Sequence, residues 1–259
     1  MRAPFRNILI TGASSGLGAA LARAYAGPGV MLALSGRDRG RLAMTATACT
    51  AAGAEVESAV LDVADRAGMA DWVQGFDRRH PVELVVANAG ISAGTASDSP
   101  SEGVEITTRQ IAVNLLGTVH TIEPLLPAMC GRRAGQVAIV SSIAGLRGLP
   151  YSPGYCASKA GVRAYAEALR PRLAAYNVGV TAICPGFFAS PMTDRWDGPT
   201  PFLFSGEKAA RRVKRGIDRG WRRVEFPLPL VLGMRFCDVA PAAIGDAILK
   251  RFHFRIRST

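Results

Sequence analysis

Short runs of β-branched and aliphatic residues recur along the chain, at Ile8 to Thr11, Val30 to Leu34, Glu55 to Leu61, Glu83 to Ala87, Gln136 to Ser141 and Val178 to Cys184. The stretches between them are longer and carry apolar residues at helical spacing. Leu17, Leu21 and Tyr25 share one face, and Val162, Tyr165, Leu169 and Leu173 share another. Strands that alternate with helices predict βαβ units, and hence an α/β doubly wound parallel sheet with helices on both faces. Such sheets bind ligands outside the carboxyl ends of their strands, so the residues just after each strand are the place to look for chemistry.

After Cys184 the pattern loosens. Pro185, Pro191, Pro199, Pro201, Pro227 and Pro229, interspersed with aromatics, predict a lid-like region over 185–236 made of loops and short helices. Val239 to Lys250 reads as a final helix. No linker, polar tract or repeat divides the 259 residues, so one domain over 1–259 is expected.

Composition adds little to this picture: 49% hydrophobic and 20% charged residues are ordinary for a chain with a large core. The apolar run Ile8 to Ile10 breaks at once into a glycine-rich turn, which is no signal peptide. Leu228 to Met234 falls well short of the roughly 20 residues that span a bilayer. A cytoplasmic protein is expected. Cys49, Cys130, Cys156, Cys184 and Cys237 are scattered and never spaced C-x-x-C, which predicts reduced, buried thiols and neither a disulfide framework nor a metal site.

Charge is the unusual bulk property. Lys and Arg number 31 against 20 Asp and Glu, for a net +11. Lys208, Arg211, Arg212, Lys214, Arg215, Arg219, Arg222 and Arg223 lie in one short segment, Arg2 and Arg6 open the chain, and Lys250, Arg251, Arg255 and Arg257 close it. A clustered basic face attracts anionic partners. The plainer reading is a solvated helix face plus general attraction for a phosphorylated cofactor or substrate. Nucleic acid is disfavoured as a partner. The apolar Phe226 to Phe236 that follows the cluster is read either as an interfacial element on an anionic membrane or as a subunit contact.

Thr11-Gly12-Ala13-Ser14-Ser15-Gly16-Leu17-Gly18 follows the first predicted strand and opens the first helix. Glycines there let the backbone turn tightly and approach a pyrophosphate, whose charge is favoured by the free N–H groups of the helix start. This T-G-x-x-x-G-x-G turn, so early in an α/β chain of this length, resembles the short-chain dehydrogenase/reductase family, and the resemblance covers roughly the first 190 residues. It implies a Rossmann-like fold and a nicotinamide dinucleotide. On that resemblance Asp62 and Val63 lie against the adenine, and Asn88, Ala89 and Gly90 line the cofactor. Pro185 and Gly186 continue the pattern, and Ser190 holds the carboxamide. One departure is Ala87, where the family often carries a second asparagine.

The end of the second strand bears on which nicotinamide cofactor fits, because an acidic residue there accepts from a ribose 2′-OH whereas an arginine suits a 2′-phosphate. The sequence reads Ser35-Gly36-Arg37-Asp38-Arg39, with Gly36 where NAD-preferring relatives carry aspartate. Arginine pairs with phosphate bidentately, so NADP(H) is expected over NAD(H). Asp38 is read as starting the next helix or pairing with a neighbouring arginine.

Tyr155 and Lys159 are four residues apart on a predicted helix, one turn apart on one face. A free phenol, with pKa about 10, is a poor acid or base near neutrality, and a nearby cation is expected to lower that value. Ser142, thirteen residues before Tyr155 and at the end of a strand, is placed to hold a substrate oxygen against the phenol, with Ser141 the competing candidate. Asn114, in the helical segment Thr107 to Thr118, is an amide among apolar neighbours and needs partners. The family resemblance gives it a supporting role in a water relay to the lysine, and has Lys159 bond the nicotinamide ribose as well.

The implied activity is interconversion of a ketone and a secondary alcohol, CH–OH and C=O, by a homodimer or homotetramer. Leu149, Phe187 and Phe188, with Tyr151, Met192, Trp196, Phe202 and Phe204, predict an apolar or acyl-type substrate. The rivals are a catalytically silent NADP(H)-binding regulator and a nucleic-acid or membrane-associated protein using the basic segment.

Overall fold

The computed structural model describes residues 4–94, 101–251 and 254–256, so Arg2 and Arg257 lie outside the described residues. Its elements run β1 (Asn7–Thr11), α1 (Gly16–Tyr25), β2 (Met31–Gly36), α2 (Arg39–Ala51), β3 (Glu55–Val60), α3 (Arg66–Arg79), β4 (Leu84–Ala87), α4 (Val104–Ile111), α5 (Gly117–Ile122), α6 (Leu126–Arg132), β5 (Gly135–Val140), α7 (Pro153–Ala174) and β6 (Val178–Pro185). They continue with β7 (Trp196–Asp197), α8 (Gly206–Asp218), β8 (Arg223–Phe226), α9 (Leu228–Val239), α10 (Ala242–Leu249) and β9 (Arg255–Ile256).

Seven strands form one parallel sheet in the order β3-β2-β1-β4-β5-β6-β8. Alternate residues of the central strands feed two cores. Ile8, Ile10, Leu84, Val86, Ala138 and Val140 pack on the side of α1, α2 and α8, while Leu9, Val85, Val137 and Ile139 pack on the side of α3 and α7. Both faces of the sheet are therefore buried, which is why the strands read as continuous apolar runs. The strand order reverses between β1 and β4, and this opens a crevice at their carboxyl ends.

The region after β6 departs from expectation. Residues 206–218 form α8, but Arg223 begins a seventh strand, in which Val224 and Phe226 turn inward while Arg223 and Glu225 alternate with them. The predicted helix from Val239 to Lys250 is two helices. Val239 ends α9, and the extended Ala240 (ψ 156°) and Pro241 separate it from α10. A residue before proline avoids the helical region, and proline donates no N–H. Conversely Pro227 and Pro229, read as loop residues, start α9, because proline fits a first helical turn. β7 and β9 pair antiparallel beside the sheet and draw Ile256 against Trp196.

Candidate active site

The turn after β1 is built so that no side chain fits inside it. Gly12 and Gly16 have φ of 68° and 54°, a left-handed region that favours glycine. A Cβ on Gly12 would lie 2.7 Å from the Ala89 Cα, and one on Gly18 would lie within 2.4 Å of the Gly12 carbonyl oxygen and 2.5 Å of Asn88 Nδ2. Asn88 ties the two strand ends together: its side chain donates to the carbonyls of Thr11 (2.9 Å) and Gly12 (3.3 Å), and its backbone N–H donates to Thr11 Oγ1 (3.1 Å). Ser15 stands at the start of α1 without its side chain capping the helix, which leaves first-turn N–H groups to face the crevice. An uncapped helix start beside a turn with room only for glycine fits a dinucleotide pyrophosphate.

Gly12, Ser14, Ser15, Gly16, Leu17, Arg37, Asp62, Val63, Asn88, Ala89, Gly90, Pro185, Gly186 and Ser190 all line one cleft of about 620 Å³, together with Ser142, Leu149, Tyr155, Lys159, Phe187 and Phe188. Gly18 lies beneath it, packed on Gly12. At the adenosine end Arg37 and Arg41 both face the cleft. Asp38 is engaged on α2, where it caps the helix by accepting from the Arg41 N–H (2.9 Å) and pairs with the Arg41 guanidinium (2.7 Å). The N–H bond from Arg41 is the chief reason its carboxyl stays below the usual range. Burial works against the Asp62 carboxylate. The Ala64 N–H (2.9 Å) and the Arg109 guanidinium nevertheless outweigh burial and hold its pKa low.

At the other end, α7 presents Tyr155 and Lys159 to the ends of β4 and β5. Lys159 is 4% exposed and donates from Nζ to the Val140 carbonyl (2.9 Å). Burial, with no carboxylate of the described residues offsetting it, pulls its pKa down to about 8. The expectation of an acidified phenol is corrected here. Burial pushes Tyr155 up to about 12, against a smaller lowering effect of its hydrogen bond with Ser142. The Lys159 Nζ is 5.9 Å from the Tyr155 ring centroid, and the net effect on the phenol is still upward. Ser142 Oγ is itself oriented by the Ala144 N–H (3.1 Å). Ser141 instead donates to the Lys159 backbone carbonyl (2.7 Å) and braces α7.

Asn114 is fully buried in a π-helical turn, Ala112–Leu116, that joins α4 to α5. Such turns re-aim side chains within a helix. Its amide donates to the Ile91 carbonyl (3.0 Å) and Ser158 Oγ (2.9 Å) and accepts from the Ile91 N–H (2.8 Å). A Cβ on Gly90 would meet both Asn114 Oδ1 (3.1 Å) and Lys159 Nζ (3.3 Å), so these two groups converge on the same backbone.

Of the other apolar residues predicted around a substrate, Met192 and Trp196 line the cleft. Phe202 is exposed, Phe204 stacks on Phe226 at 5.2 Å, and Tyr151 meets Phe254 edge-on. Phe204 and Tyr151 are held by packing partners rather than by the cleft. Sequence reading missed the far wall, which comes from the C-terminal region: Leu230, Met234, Cys237, Leu249, Phe254 and Ile256. Trp196 stacks on Phe254 at 3.9 Å and closes that wall. A weak signal for it existed in the apolar run Leu228 to Met234.

Comparison with known proteins agrees with this geometry. Residues 6–199 match the family model described as short chain dehydrogenase. An uncharacterized oxidoreductase of Myxococcus xanthus is 37% identical over 249 residues, 95% of this chain and 97% of that protein. The ketoacyl reductase HetN of a Nostoc species is 34% identical over 185 residues, 70% of this chain and 63% of its own length. Among solved structures, a short chain dehydrogenase/reductase from Burkholderia phymatum in complex with NAD superposes with a TM-score of 0.81 at 23% identity, covering 98% of each chain. Levodione reductase superposes with a TM-score of 0.75 at 25% identity, covering 85% of this chain and 94% of that one.

Proposed function

The chain belongs to the short chain dehydrogenase family, and from that premise we propose that it reduces an apolar, acyl-type ketone to a secondary alcohol with NADP(H). The observation that carries this reading is the convergence of Tyr155, Ser142 and Lys159 at one end of a cleft whose far wall is apolar.

When bound, the dinucleotide supplies a hydride to the carbonyl carbon. Ser142 donates to the substrate oxygen, and Tyr155 gives that oxygen its phenolic proton. A phenol whose pKa burial pushes up to about 12 is protonated throughout the neutral range, as the proton-donor role requires. Lys159, mostly cationic below its pKa near 8, stabilises the phenolate as it forms and bonds the nicotinamide ribose. Asn114 holds the backbone around Gly90 and supports proton resupply towards Lys159.

Preference for NADP(H) over NAD(H) is supported by Gly36, by Arg37 and Arg41 at the rim, and by the engagement of Asp38 on α2. The apolar wall supports a lipid-like or acyl ketone over a sugar. A homodimer or homotetramer is the expected assembly, and sedimentation velocity tests it. The enzymatic reading is tested by NADPH oxidation against a panel of ketones with the wild type and Tyr155→Phe. The variant should bind NADPH normally and lose about 10²–10⁴ of kcat. Wild-type turnover retained in the variant refutes the assignment. A chain that binds NADPH and reduces nothing in the panel is the silent regulator instead.

A further inference from the structure

The outer face of α9 has no part in the chemistry of the cleft. Val231, Met234 and Cys237 are buried, whereas Leu228 (62% exposed), Leu232 (57%), Phe236 (55%) and Val239 (82%) project outward. Spacings of four, four and three residues put these four side chains in one stripe. Pro229 and Gly233, each one residue further on, line the cleft, and on that flank no polar residue of the helix falls between stripe and cleft wall, Arg235 and Asp238 lying on the other flank. Apolar surface thus runs unbroken from the outside of α9 into the substrate end of the site.

The N-terminal end of the stripe is rimmed by cations. Phe226, two residues before Leu228, lies 5.6 Å from the Arg212 guanidinium and stacks on Phe204, whose ring is 4.5 Å from Lys208 Nζ. Phe202 (54%) and Leu203 (50%) add exposed apolar surface just before Phe204. Arg211 and Arg215 are exposed on α8, and residues 206–226 carry eight basic against three acidic side chains. Arg235 lies along the stripe and pairs with Glu225 (2.6 Å), and Asp238 is the exposed acid of α9.

We propose that the α9 stripe and its cationic rim form an interfacial element that seats the protein on an anionic lipid surface, with the cleft mouth at the headgroups so that a lipophilic ketone enters from the bilayer. The combination is that of a membrane-surface helix, except that the cations come from α8 rather than from the helix's own polar face. No helix among the described residues is long and apolar enough to cross a membrane, so the contact is peripheral. A second copy is a poorer occupant. A two-fold contact would bring together two chains of net charge +11, which repel each other, whereas an anionic surface attracts them. The lipid-borne substrate rests on the ketone-reductase reading above, whereas the surface contact does not.

The test is flotation of the full chain with vesicles of phosphatidylcholine containing one-third phosphatidylglycerol, set against pure phosphatidylcholine. The wild type should float with the anionic vesicles only, and salt should weaken the binding. Lys208→Gln with Arg212→Gln should lower the partition coefficient about 25-fold, roughly fivefold per cation. Leu232→Glu with Phe236→Glu should abolish flotation while melting normally and reducing a small, water-soluble apolar ketone at the wild-type rate. Wild-type protein that does not float, or flotation untouched by the stripe variant, overturns the proposal. So does a stripe variant that turns a dimer into a monomer in sedimentation without any vesicle binding in the parent. If the wild type floats but turns over no ketone in any form, the catalytic reading fails and the surface contact stands.

Discussion

Replacing Lys159 with methionine should make the free protein more stable while it destroys activity, because the fold buries this amine without an anionic partner among the described residues. Nζ has one backbone carbonyl, Val140 O at 2.9 Å, and burial takes the pKa from the usual 10.5 to about 8. That displacement corresponds to about 3 kcal/mol against the charged form. Methionine removes the charge at similar length but leaves the Val140 carbonyl without its donor, a loss of about 1–3 kcal/mol. The net gain near neutrality is about 1 kcal/mol, or roughly 2–4 °C in Tm for a chain of this size. The dependence on pH is the sharper signature. Below about pH 8 the lysine is protonated in both folded and unfolded chains and the penalty is complete; between about 8 and 10.5 the unfolded chain holds more protons than the folded one, so the wild type gains stability as pH rises. The Tm advantage of Lys159→Met should therefore be full at neutral pH and vanish towards pH 10.5. Thermal melts of both proteins without cofactor, at intervals across that range, measure it. Activity should fall by about 10²–10⁴, as for loss of a positioned acid–base partner. A variant that melts lower than wild type at neutral pH, or a gap that does not change with pH, would show that the amine is not held at an electrostatic cost.

Three further substitutions and one control probe the other parts of the site. Arg37→Ala should weaken NADPH binding by about 1.5–3 kcal/mol, the worth of a charge-assisted bond to phosphate, while KM for NADH stays put; equal losses for both cofactors would sink the assignment of the 2′-phosphate to this end of the cleft. Gly18→Ala puts a methyl 2.4 Å from the Gly12 carbonyl oxygen, so Tm should drop by the equivalent of about 1–3 kcal/mol and NADPH fluorescence titration should show weakened binding. Gly27→Ala, with nothing within 4 Å of the added carbon, is its neutral control. Gly233→Leu meets no atom within 4 Å on α9 but points along the cleft wall; long-chain ketones should lose kcat/KM, small ones should not, and the melt should rise slightly with the gain in helix propensity of up to about 1 kcal/mol.

The parts of this molecule legible from sequence are those whose signal is local. β1, β2, β4, β5 and β6 are buried on both faces, so their apolar runs announce them, whereas β3 is a half-exposed edge strand. Tyr155 and Lys159 are set by one turn of α7, and Gly12, Gly16 and Gly18 by one turn of backbone, so spacing alone places them together. β8 was hidden because Arg223 and Glu225 occupy half of a four-residue strand and extend the charge run of α8. α9 was hidden by Pro227 and Pro229, which look like helix breakers until one of them falls in a first turn. The far wall had only the apolar run Leu228 to Met234 as a local signature: Met234, Leu249 and Phe254 meet at the cleft because residues from α9, from α10 and from just before β9 come together there. The acidity of Tyr155 was misjudged for a related reason. The cation is visible in the sequence four residues away, whereas the burial that outweighs it is contributed by neighbours from other elements.

That division has a chemical logic. In the proposed reaction, the groups at the ends of β1, β4 and β5 would act on parts that do not vary with the substrate: a pyrophosphate, a ribose, one oxygen and one proton. Short backbone turns and a single helix face hold such groups in place. Selecting among ketones would require a wall that matches the rest of the substrate, and on the proposed function a separate C-terminal layer of apolar side chains would supply it. Trp196 stacked on Phe254 and the pairing of β7 with β9 fix that layer to the lid without passing through the catalytic residues. Substitutions on the inward face of α9 should therefore change which ketone is accepted while Tyr155, Ser142 and Lys159 keep their geometry, because no hydrogen bond among those three reaches α9.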